Sequence, residues 1–511
     1  MSQIIIHNMS FSYKSYFTPI FNNVSQTLDT DWKLALIGRN GRGKTTLLKL
    51  IHGALLPDSG HIYKKVNTEF FPYDYNANYT KTIDVIKENI GNLRTMEDNL
   101  EDVSILQQYL EADGFEMESR IKKELHKMML PEDILEQEFE LLSGGERTKV
   151  LLIALFLRKN TFILLDEPTN HLDIDGRARI AGYLQNKKGF LVVSHDREFL
   201  DQVCDHVISI NKANIHIEKC NYTTWKQNKD IREEYEFRTK KRLEQEIESL
   251  EKRAGTARNW GNAAEKEKNP FATHNRGNTS RAAKFMHQAK RAENKVTSNI
   301  EEKKSLLLNY ETAKELILHQ DNLDDNLLLQ IKNLSYSYNS SPLLQNISLK
   351  IYTGDVIWIR GKNGSGKSTL LKLINGTLNT NTIQYASDLV ISFACQEPLW
   401  KHGFIKELLE NNDQFFDSER FYSLCTIFDL PENYESRPLE TYSNGELKKI
   451  DIARALSCRH QLLLLDEPLN YMDIYFREQL EMAILLYKPT LVFVEHDKRF
   501  GEHIASSAIE L

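Results

Sequence analysis

The stretch GRNGRGKTTLLKLIHG at residues 38–53 returns as GKNGSGKSTLLKLING at residues 361–376. Each copy has a glycine, four residues, a second glycine, a lysine and a hydroxyl residue, between a run typical of a strand and a run typical of a helix. The glycines let successive backbone N–H groups turn inward around a phosphate, and the N-terminus of the following helix adds positive potential. The two stretches therefore predict two phosphate-binding loops in α/β domains.

Other matching segments show that the repeat extends well beyond these loops. They are IHNMSFSY (6–13) with IKNLSYSY (331–338), LLDEPTNHLDI (164–174) with LLDEPLNYMDI (464–474), and VVSHDREF (192–199) with VFVEHDKRF (492–500). Apolar runs at residues 33–37, 162–165 and 190–194 are typical of buried strands, and each precedes a polar loop. We therefore expect two α/β domains, at residues 1–222 and 326–511, whose middle parts near residues 80–140 and 405–440 are mostly helical.

The loop residues predict how a nucleotide is bound. We expect Lys44 and Lys367 to contact the β- and γ-phosphates of ATP, and the hydroxyls of Thr45 and Ser368 to bind Mg²⁺. The loop residues predicted to bind ATP are Gly38, Asn40, Gly41, Gly43, Lys44, Thr45, Thr46, Gly361, Asn363, Gly364, Gly366, Lys367, Ser368 and Thr369.

A pair of acidic residues ends an apolar strand in each copy. Asp166 and Asp466 come directly after their strands, and this position places each carboxylate beside the metal. Glu167 and Glu467 follow directly, so they point differently and are predicted to accept a proton from an attacking water. Paired acids at a strand end can also serve solubility alone, but both copies repeat the pair.

A histidine follows the third apolar run of each copy. His195 and His496 each precede an aspartate. A single histidine is more often structural than catalytic, but the repeated arrangement of strand, histidine and aspartate favours a contact with the γ-phosphate. We therefore include both histidines in the predicted catalytic sites.

The composition is that of a soluble globular protein. With 65 Lys and Arg against 72 Asp and Glu, the formal net charge is -7, and 41% of the residues are hydrophobic. No apolar run approaches the roughly 18 residues that span a bilayer, and the N-terminus lacks the pattern of a secretory signal. The five cysteines are scattered without a CxxC pair, which argues against a disulfide scaffold and a zinc site. We expect a cytoplasmic location.

The segment LSGGE at residues 142–146, together with the motifs above, resembles the ATP-binding cassette (ABC) ATPases. The resemblance implies two tandem ABC-type P-loop NTPase domains in which the signature of one domain closes over the ATP of the other. Tyr13 and Tyr338 match the family's adenine-stacking aromatic, although strand-core tyrosines are the alternative, and Gln396 matches its metal- and water-contacting glutamine. The implied signature residues are Ser143, Gly144, Gly145 and Glu146 over Lys367, and Ser443, Asn444, Gly445 and Glu446 over Lys44.

Two departures from the family pattern fall on the same composite site. Asn444 replaces the first glycine of the second signature, and Tyr73 stands where the first domain would carry the glutamine. Both belong to the site formed by Lys44 and the second signature. We predict that this site turns over at a different rate from its partner while both bind ATP.

The segment between the domains, at residues 223–325, is predicted to be an antiparallel α-helical hairpin with a long irregular tip. Residues 252–295 hold eleven Lys and Arg against three acids, whereas the rest of the chain is acidic. This imbalance and the interspersed aromatics favour RNA binding over a merely solvated charged face. The candidates are Arg258, Trp260, Lys266, Lys268, Phe271, His274, Arg276, Arg281, Lys284, Phe285, Lys290 and Arg291.

Two ABC domains, a basic helical linker and no membrane segment resemble the ABC-F proteins. The segments TSRAAKFM (279–286) and DEPLNYMD (466–473) are similar to the Lsa/Vga group, which protects bacterial ribosomes against lincosamide, streptogramin A and pleuromutilin antibiotics. The resemblance implies a monomer with paired domains whose linker enters the 70S ribosome and contacts 23S rRNA and P-site tRNA. A general translation factor and the motor of a membrane transporter are the alternatives.

Overall fold

The computed structural model describes most of the two domains. Its described residues are 2–13, 19–75, 79–170, 172–211, 215–235, 238–239, 241–242, 245–246, 315–321, 327–338, 341–410, 416–431 and 433–511. The predicted RNA-binding residues between Arg258 and Arg291, the tip of the predicted hairpin and the side chain of Tyr338 lie outside the described residues.

Each domain contains both strands and helices, and the strands include those that the apolar runs predict. The strands are β1 (Gln3–Phe11), β2 (Phe21–Asp29), β3 (Lys33–Gly38), β4 (Ser59–Lys64), β5 (Asn67–Phe71), β6 (Thr161–Asp166), β7 (Phe190–Val193), β8 (His206–Ile210), β9 (Ile215–Glu218), β10 (Leu327–Tyr338), β11 (Ser341–Tyr352), β12 (Val356–Arg360), β13 (Ile383–Tyr385), β14 (Ile391–Ala394), β15 (Leu462–Asp466), β16 (Leu491–Val494) and β17 (Ser507–Glu510). The helices are α1 (Lys44–His52), α2 (Thr82–Gly91), α3 (Leu93–Glu97), α4 (Val103–Glu111), α5 (Gly114–Lys127), α6 (Gly144–Leu157), α7 (Ile174–Gln185), α8 (Arg197–Val203), α9 (Lys367–Ile374), α10 (Ile405–Glu410), α11 (Ser418–Ile427), α12 (Asn444–Ser457), α13 (Ile474–Tyr487) and α14 (Lys498–Ile504).

The chain divides into two units. One unit holds Met1–Thr223 with Glu315–Leu511, and therefore both α/β domains, and the other is Thr224–Lys314. In the second unit, described side chains form ion pairs four residues apart, such as Lys226 with Asp230 at 2.8 Å. This spacing is typical of a solvated helix.

Each α/β domain is built on a central, mostly parallel sheet with a small antiparallel sheet beside it. The central sheets have the orders β5-β6-β7-β3-β8-β9 and β14-β15-β16-β12-β17, and only β9 is antiparallel to its neighbour. The small sheets have the orders β2-β1-β4 and β11-β10-β13. The predicted strands at residues 33–37, 162–165 and 190–194 correspond to β3, β6 and β7, so the predicted fold class is confirmed.

The central strands are buried because helices cover both faces of each sheet. All residues of β7 and β15 are buried, and the apolar side chains of the strands pack against α1 in the first domain and α9 in the second. Burial of each large aliphatic side chain contributes about 2 kcal/mol. Helix α1 ends at Gly53, whose φ of 94° lets its N–H bond the carbonyls of Lys49 and Leu50.

The second domain begins earlier than its first strand. Leu316 and Leu318 are buried in the core of the second domain, and Gln320 Nε2 donates to the carbonyl of Thr490 at 3.0 Å. Residues 315–321 form neither a helix nor a strand, whereas the sequence favours a helical linker up to residue 325. The side chains at alternate positions pack here as in a strand, and this placement assigns the segment to the second domain.

One buried ion pair joins the two domains. Arg197 Nη2 of α8 lies 2.8 Å from Glu481 Oε2 of α13, and the two side chains are 5% and 8% exposed. The matching positions of the repeat hold Ala181 and Lys498, which cannot form an ion pair with each other, so the repeat does not produce a second copy of this contact. His503 also contacts Glu481. A buried charge is costly unless it is paired, and loss of one partner leaves the other uncompensated.

We expect Arg197→Ala to lower the melting temperature by at least about 5 °C, because Glu481 stays buried without its guanidinium partner. Thermal unfolding followed by circular dichroism measures the change. Glu198→Ala, which alters an exposed neighbour, is the matched control, and equal shifts for the two variants would contradict the role of the pair. The double variant Arg197→Met/Glu481→Leu should recover part of the loss.

Candidate nucleotide-binding site

Three neighbouring parallel strands bring the predicted residues of each domain to one edge of the sheet. In the first domain β6, β7 and β3 are adjacent, and their carboxyl ends lead to Asp166, His195 and the phosphate loop. Ligands of such sheets bind at the carboxyl ends of the strands. Thr45 Oγ1 donates to Asp166 Oδ2 at 2.7 Å, so the two predicted metal ligands already face each other.

The phosphate loops have the backbone geometry that their glycines predict. Gly41 and Gly43 have φ values of 79° and 88°, and a Cβ on Gly43 would come within 2.5 Å of Ile20. Lys44 Nζ donates to the carbonyl of Gly38 at 2.7 Å. Lys367 Nζ donates to the equivalent carbonyl of the second loop at 2.9 Å. Both ammonium groups therefore lie inside their loops.

The predicted catalytic glutamates have an unusual backbone conformation. Glu167 and Glu467 have φ values of 51° and 48°, in the left-handed region that non-glycine residues rarely adopt. Their side chains reach the predicted histidines: His195 Nε2 lies 3.2 Å from Glu167 Oε1, and His496 Nε2 lies 3.5 Å from Glu467 Oε1. Such strain is held by the surrounding structure and concentrates at functional sites.

The two glutamates differ in their electrostatic surroundings. Burial, assisted by the negative charge of Asp166, raises the pKa of Glu167 to about 8. Burial opposes ionisation of Glu467 as well, but hydrogen bonds from His496, Gln396 and Asn470 hold its pKa below the usual value. The two sites therefore share a framework and differ in the charge state that each favours for its glutamate.

Gln396 and Tyr73 occupy equivalent positions in the two sheets. Ala394 pairs with Leu465 and Phe71 pairs with Leu165, so each residue lies two places beyond a matching strand end. Gln396 Nε2 donates to Glu467 Oε2 at 3.0 Å, whereas the buried Tyr73 hydroxyl donates to the carbonyl of Leu151 at 3.2 Å. At this position, therefore, only the second domain has a side-chain amide that donates a hydrogen bond to the predicted catalytic glutamate.

The oxygen ligands of the second site suit a hard divalent cation. Burial raises the pKa of Asp466 to about 6, and Ser368 hydrogen-bonds its carboxyl group. Within the described ranges, Asp466 Oδ1 is buried without a hydrogen-bond partner. Mg²⁺ prefers such ligands together with phosphate oxygens and water. No cluster of three or more acidic, cysteine or histidine side chains that could hold a metal occurs in the described part of the chain.

The two signature segments begin helices through the same capping motif. Ser143 caps α6 and Ser443 caps α12, each in a capping box with the glutamate three residues later. Ser143 Oγ donates to Glu146 Oε2 at 2.6 Å, and Ser443 Oγ donates to Glu446 Oε2 at 2.9 Å. Each signature therefore presents the N-terminus of a helix, where backbone N–H groups attract an anion.

The first phosphate loop lies against the second domain. The backbone N–H of Asn40 donates to Asp473 Oδ2 at 2.8 Å, and its side-chain amide donates to the carbonyl of Tyr471 at 2.9 Å. A Cβ on Gly445 would lie 3.6 Å from Asn40 Nδ2, so the second signature is close as well. The structure thus brings Lys44 and the second signature together, as the family resemblance implies.

The Arg39 side chain adds further contacts between the first phosphate loop and the second domain. Arg39 Nη1 lies 2.6 Å from Asp429 Oδ2, and its guanidinium carbon lies 5.2 Å from the centre of the Tyr475 ring. The matching positions of the repeat are Lys362 and Met129, which cannot form an ion pair with each other. The two composite sites therefore differ at their borders as well as at their glutamates.

Tyr13 is the predicted adenine-stacking residue whose side chain lies within the described part of the chain. Tyr13 is half-buried, its ring meets Phe11 edge-on with 5.1 Å between the ring centres, and its hydroxyl lies 3.2 Å from Thr46 Oγ1.

Asp473 was not among the predicted site residues, although it lies in the repeated segment at 464–474. Its repetition as Asp173 was the signal that could have identified it.

Comparisons with known proteins give matches in both α/β domains. A family model described as ABC transporter matches residues 21–170 and 344–470, more than half of the chain. The ATP-binding protein YdiF of Bacillus subtilis is 29% identical over 96% of this chain and 77% of its own length. The ribosome protection protein VmlR of Bacillus subtilis is 26% identical over 100% of this chain and 87% of its own length. The energy-dependent translational throttle protein EttA of Haemophilus influenzae is 26% identical, covering 96% and 89%.

A solved structure of RNase-L Inhibitor has a similar fold. Its TM-score is 0.58 at 19% identity, over 99% of this chain and 87% of that chain. The chain therefore belongs to the ABC family of ATP-binding proteins, and its two matched domains are those of an ATPase.

We expect Gln396→Ala to lower ATP turnover about tenfold in a Glu167→Gln background, where only the second glutamate remains active. The amide that orients Glu467 is lost in this variant. Tyr73→Phe in a Glu467→Gln background is the matched control and should change turnover less than about twofold, because the Tyr73 hydroxyl bonds a backbone carbonyl. Phosphate release under single-site conditions measures both rates, and equal losses would refute the difference between the sites.

Proposed function

We propose that this protein is a ribosome-binding ABC-F ATPase that protects translation from lincosamide, streptogramin A or pleuromutilin antibiotics. Two ATP molecules clamp the domains together, and the closed form holds the basic linker in the exit-site and peptidyl-transferase region of the 70S ribosome. The linker there contacts 23S rRNA and P-site tRNA, and the bound drug leaves. Hydrolysis reopens the clamp and releases the protein.

The contact between Asn40 and the loop that holds Tyr471 and Asp473 is the observation that carries the clamp. It joins the phosphate loop of one domain to the other domain through hydrogen bonds of 2.8 and 2.9 Å. The similarity to VmlR over 100% of this chain supports the ribosome as the partner. ATP and the ribosome would then both favour the closed form, and each would strengthen binding of the other.

The site residues have separate tasks in this reaction. The lysines of the phosphate loops bind the β- and γ-phosphates, and the signature helices close over the phosphates from the opposite domain. Glu167 and Glu467 accept a proton from the attacking water, and the histidines contact the γ-phosphate. Thr45 and Asp166 would hold Mg²⁺ in the first site, where a divalent cation would supply neutralisation of phosphate charge. In the second site Ser368, Asp466 and Gln396 are the corresponding candidates.

A general translation factor is the second candidate function. EttA is as similar to this chain as VmlR, with 26% identity in both cases. A motor for a membrane transporter has less support. Such a motor would not need a basic linker. Separately, no helix among the described residues has the length and apolar character that crossing a bilayer requires.

Ribosome binding has a direct test in the Glu167→Gln/Glu467→Gln variant, in which ATP is bound but not hydrolysed. We expect this variant to sediment with bacterial 70S ribosomes in the presence of ATP. Adding Lys44→Ala and Lys367→Ala should return the protein to the supernatant, because the phosphates lose their cations. Failure of the parent variant to sediment with ribosomes under ATP would overturn the proposed partner.

Drug protection is tested by expressing the chain in a susceptible bacterium and measuring minimal inhibitory concentrations of the three drug classes. We expect a rise for at least one class, and its loss in Phe271→Ala or Phe285→Ala with ATPase activity retained. A chain that binds ribosomes and alters growth without changing any inhibitory concentration would instead be a translation factor.

A further inference from the structure

The residue before the histidine of the second domain is a buried carboxylate. Glu495 is 3% exposed and follows β16 directly. The same position of the first domain holds Ser194, as the segments VFVEHD and VVSHD show. A carboxylate is rarely buried unless its oxygens are hydrogen-bonded or paired, and Glu495 has no part in binding the nucleotide or in the hydrolysis described above.

Both oxygens of Glu495 accept backbone hydrogen bonds from different loops. Glu495 Oε2 accepts the N–H of Leu469 at 3.1 Å, and Glu495 Oε1 accepts the N–H of His496 at 2.8 Å. Arg477 Nη2 donates to the carbonyl of Leu469 at 2.8 Å. The two backbone polar groups of this buried leucine are therefore both held by ionic side chains, and such charge-assisted bonds are about twice as strong as neutral ones.

The loop held in this way continues into the contact with the first domain. Leu469 is followed by Asn470, whose side chain donates to Glu467, and then by Tyr471 and Asp473, which accept hydrogen bonds from Asn40. Hydrogen bonds at both ends and the short backbone segment from Leu469 to Asp473 therefore connect the loop of His496 to the phosphate loop that carries Lys44.

The first domain lacks the equivalent ionic connection. Thr169 replaces Leu469 and Ser194 replaces Glu495, and their hydroxyl oxygens lie 3.3 Å apart. Arg177 binds the carbonyl of Leu172 and the carboxylate of Asp196. This bridge by Arg177 is shared, because Arg477 likewise contacts Asp497. Among the described residues, the two domains differ at the position of Glu495, where the first domain has a neutral hydroxyl contact and the second has a carboxylate.

We propose that Glu495 is a positioning residue that couples the histidine loop of the second ATP site to the phosphate loop of the first. A movement of His496 with its nucleotide shifts the loop of Leu469 as one body, and the hydrogen bonds of Asp473 and Tyr471 carry that shift to Asn40. For nucleotide binding this coupling is reciprocal, and its effect on turnover is measurable at the first site. It is a property of the ATPase itself and does not depend on the proposed ribosome function.

The test uses a Glu467→Gln background, in which hydrolysis occurs only at the first site. We expect Glu495→Ser to lower turnover at the first site about fivefold, within the range of typical coupling effects. Asn40→Ala should lower it as well. The double variant should be no slower than the slower single variant, because the loss of Glu495 and the loss of the Asn40 side-chain bond to Tyr471 interrupt the same connection.

Matched variants separate coupling from general damage. Ser194→Ala in a Glu167→Gln background is the equivalent change in the first domain and should alter turnover of the second site less than about twofold. Glu495→Gln keeps the side-chain shape and one acceptor oxygen, so it should fall between the parent and Glu495→Ser, and it replaces the serine variant in the cycle if that variant melts early. Multiplicative effects of Glu495→Ser and Asn40→Ala, or an unchanged first site in both Glu495 variants, would overturn the proposal.

Discussion

Two hydrogen bonds from Asn40 hold the phosphate loop of the first domain against the second, and they place this loop at the contact between the domains. Asp473, which accepts the backbone N–H of Asn40, also caps the helix Ile474–Tyr487 through the N–H of Phe476. Lys44 follows four residues after Asn40 on the same loop. Atoms that shape the first phosphate site are therefore among those that join the domains, so the contact between the domains and the geometry of the site depend on each other.

The internal repeat preserves this framework and changes the chemistry around it. The backbone conformation of Glu167 and Glu467 is the same, but Glu467 accepts a hydrogen bond from the side-chain amide of Gln396, which the first domain replaces by Tyr73. Glu495 joins two loops that a pair of hydroxyls joins in the first domain. Duplication of a domain thus gives two sites with one geometry, and substitution at their borders gives each site its own electrostatics.

The motifs predicted most of the fold because each motif carries its own local geometry: Asp166 had to end a buried strand, and Lys44 had to begin a helix. The boundary near residue 325 could not be predicted in the same way. Leu316 and Leu318 extend a leucine-containing run, and only their burial in the core of the second domain shows where they belong. Asp473 likewise has no evident task until folding brings Asn40 to it from more than 400 residues away.

The early start of the second domain has a consequence for dissecting the molecule. Leu316 and Leu318 fill space between elements of the second core, and Gln320 exchanges two hydrogen bonds with Thr490. A C-terminal half that began at residue 326 would lack Leu316 and Leu318, and their space in the core would be open to water. The backbone N–H and carbonyl of Thr490 would also lose the hydrogen bonds that Gln320 provides. Exchange of linkers between relatives, by recombination or by a protein engineer, is therefore best tolerated when the junction precedes residue 315.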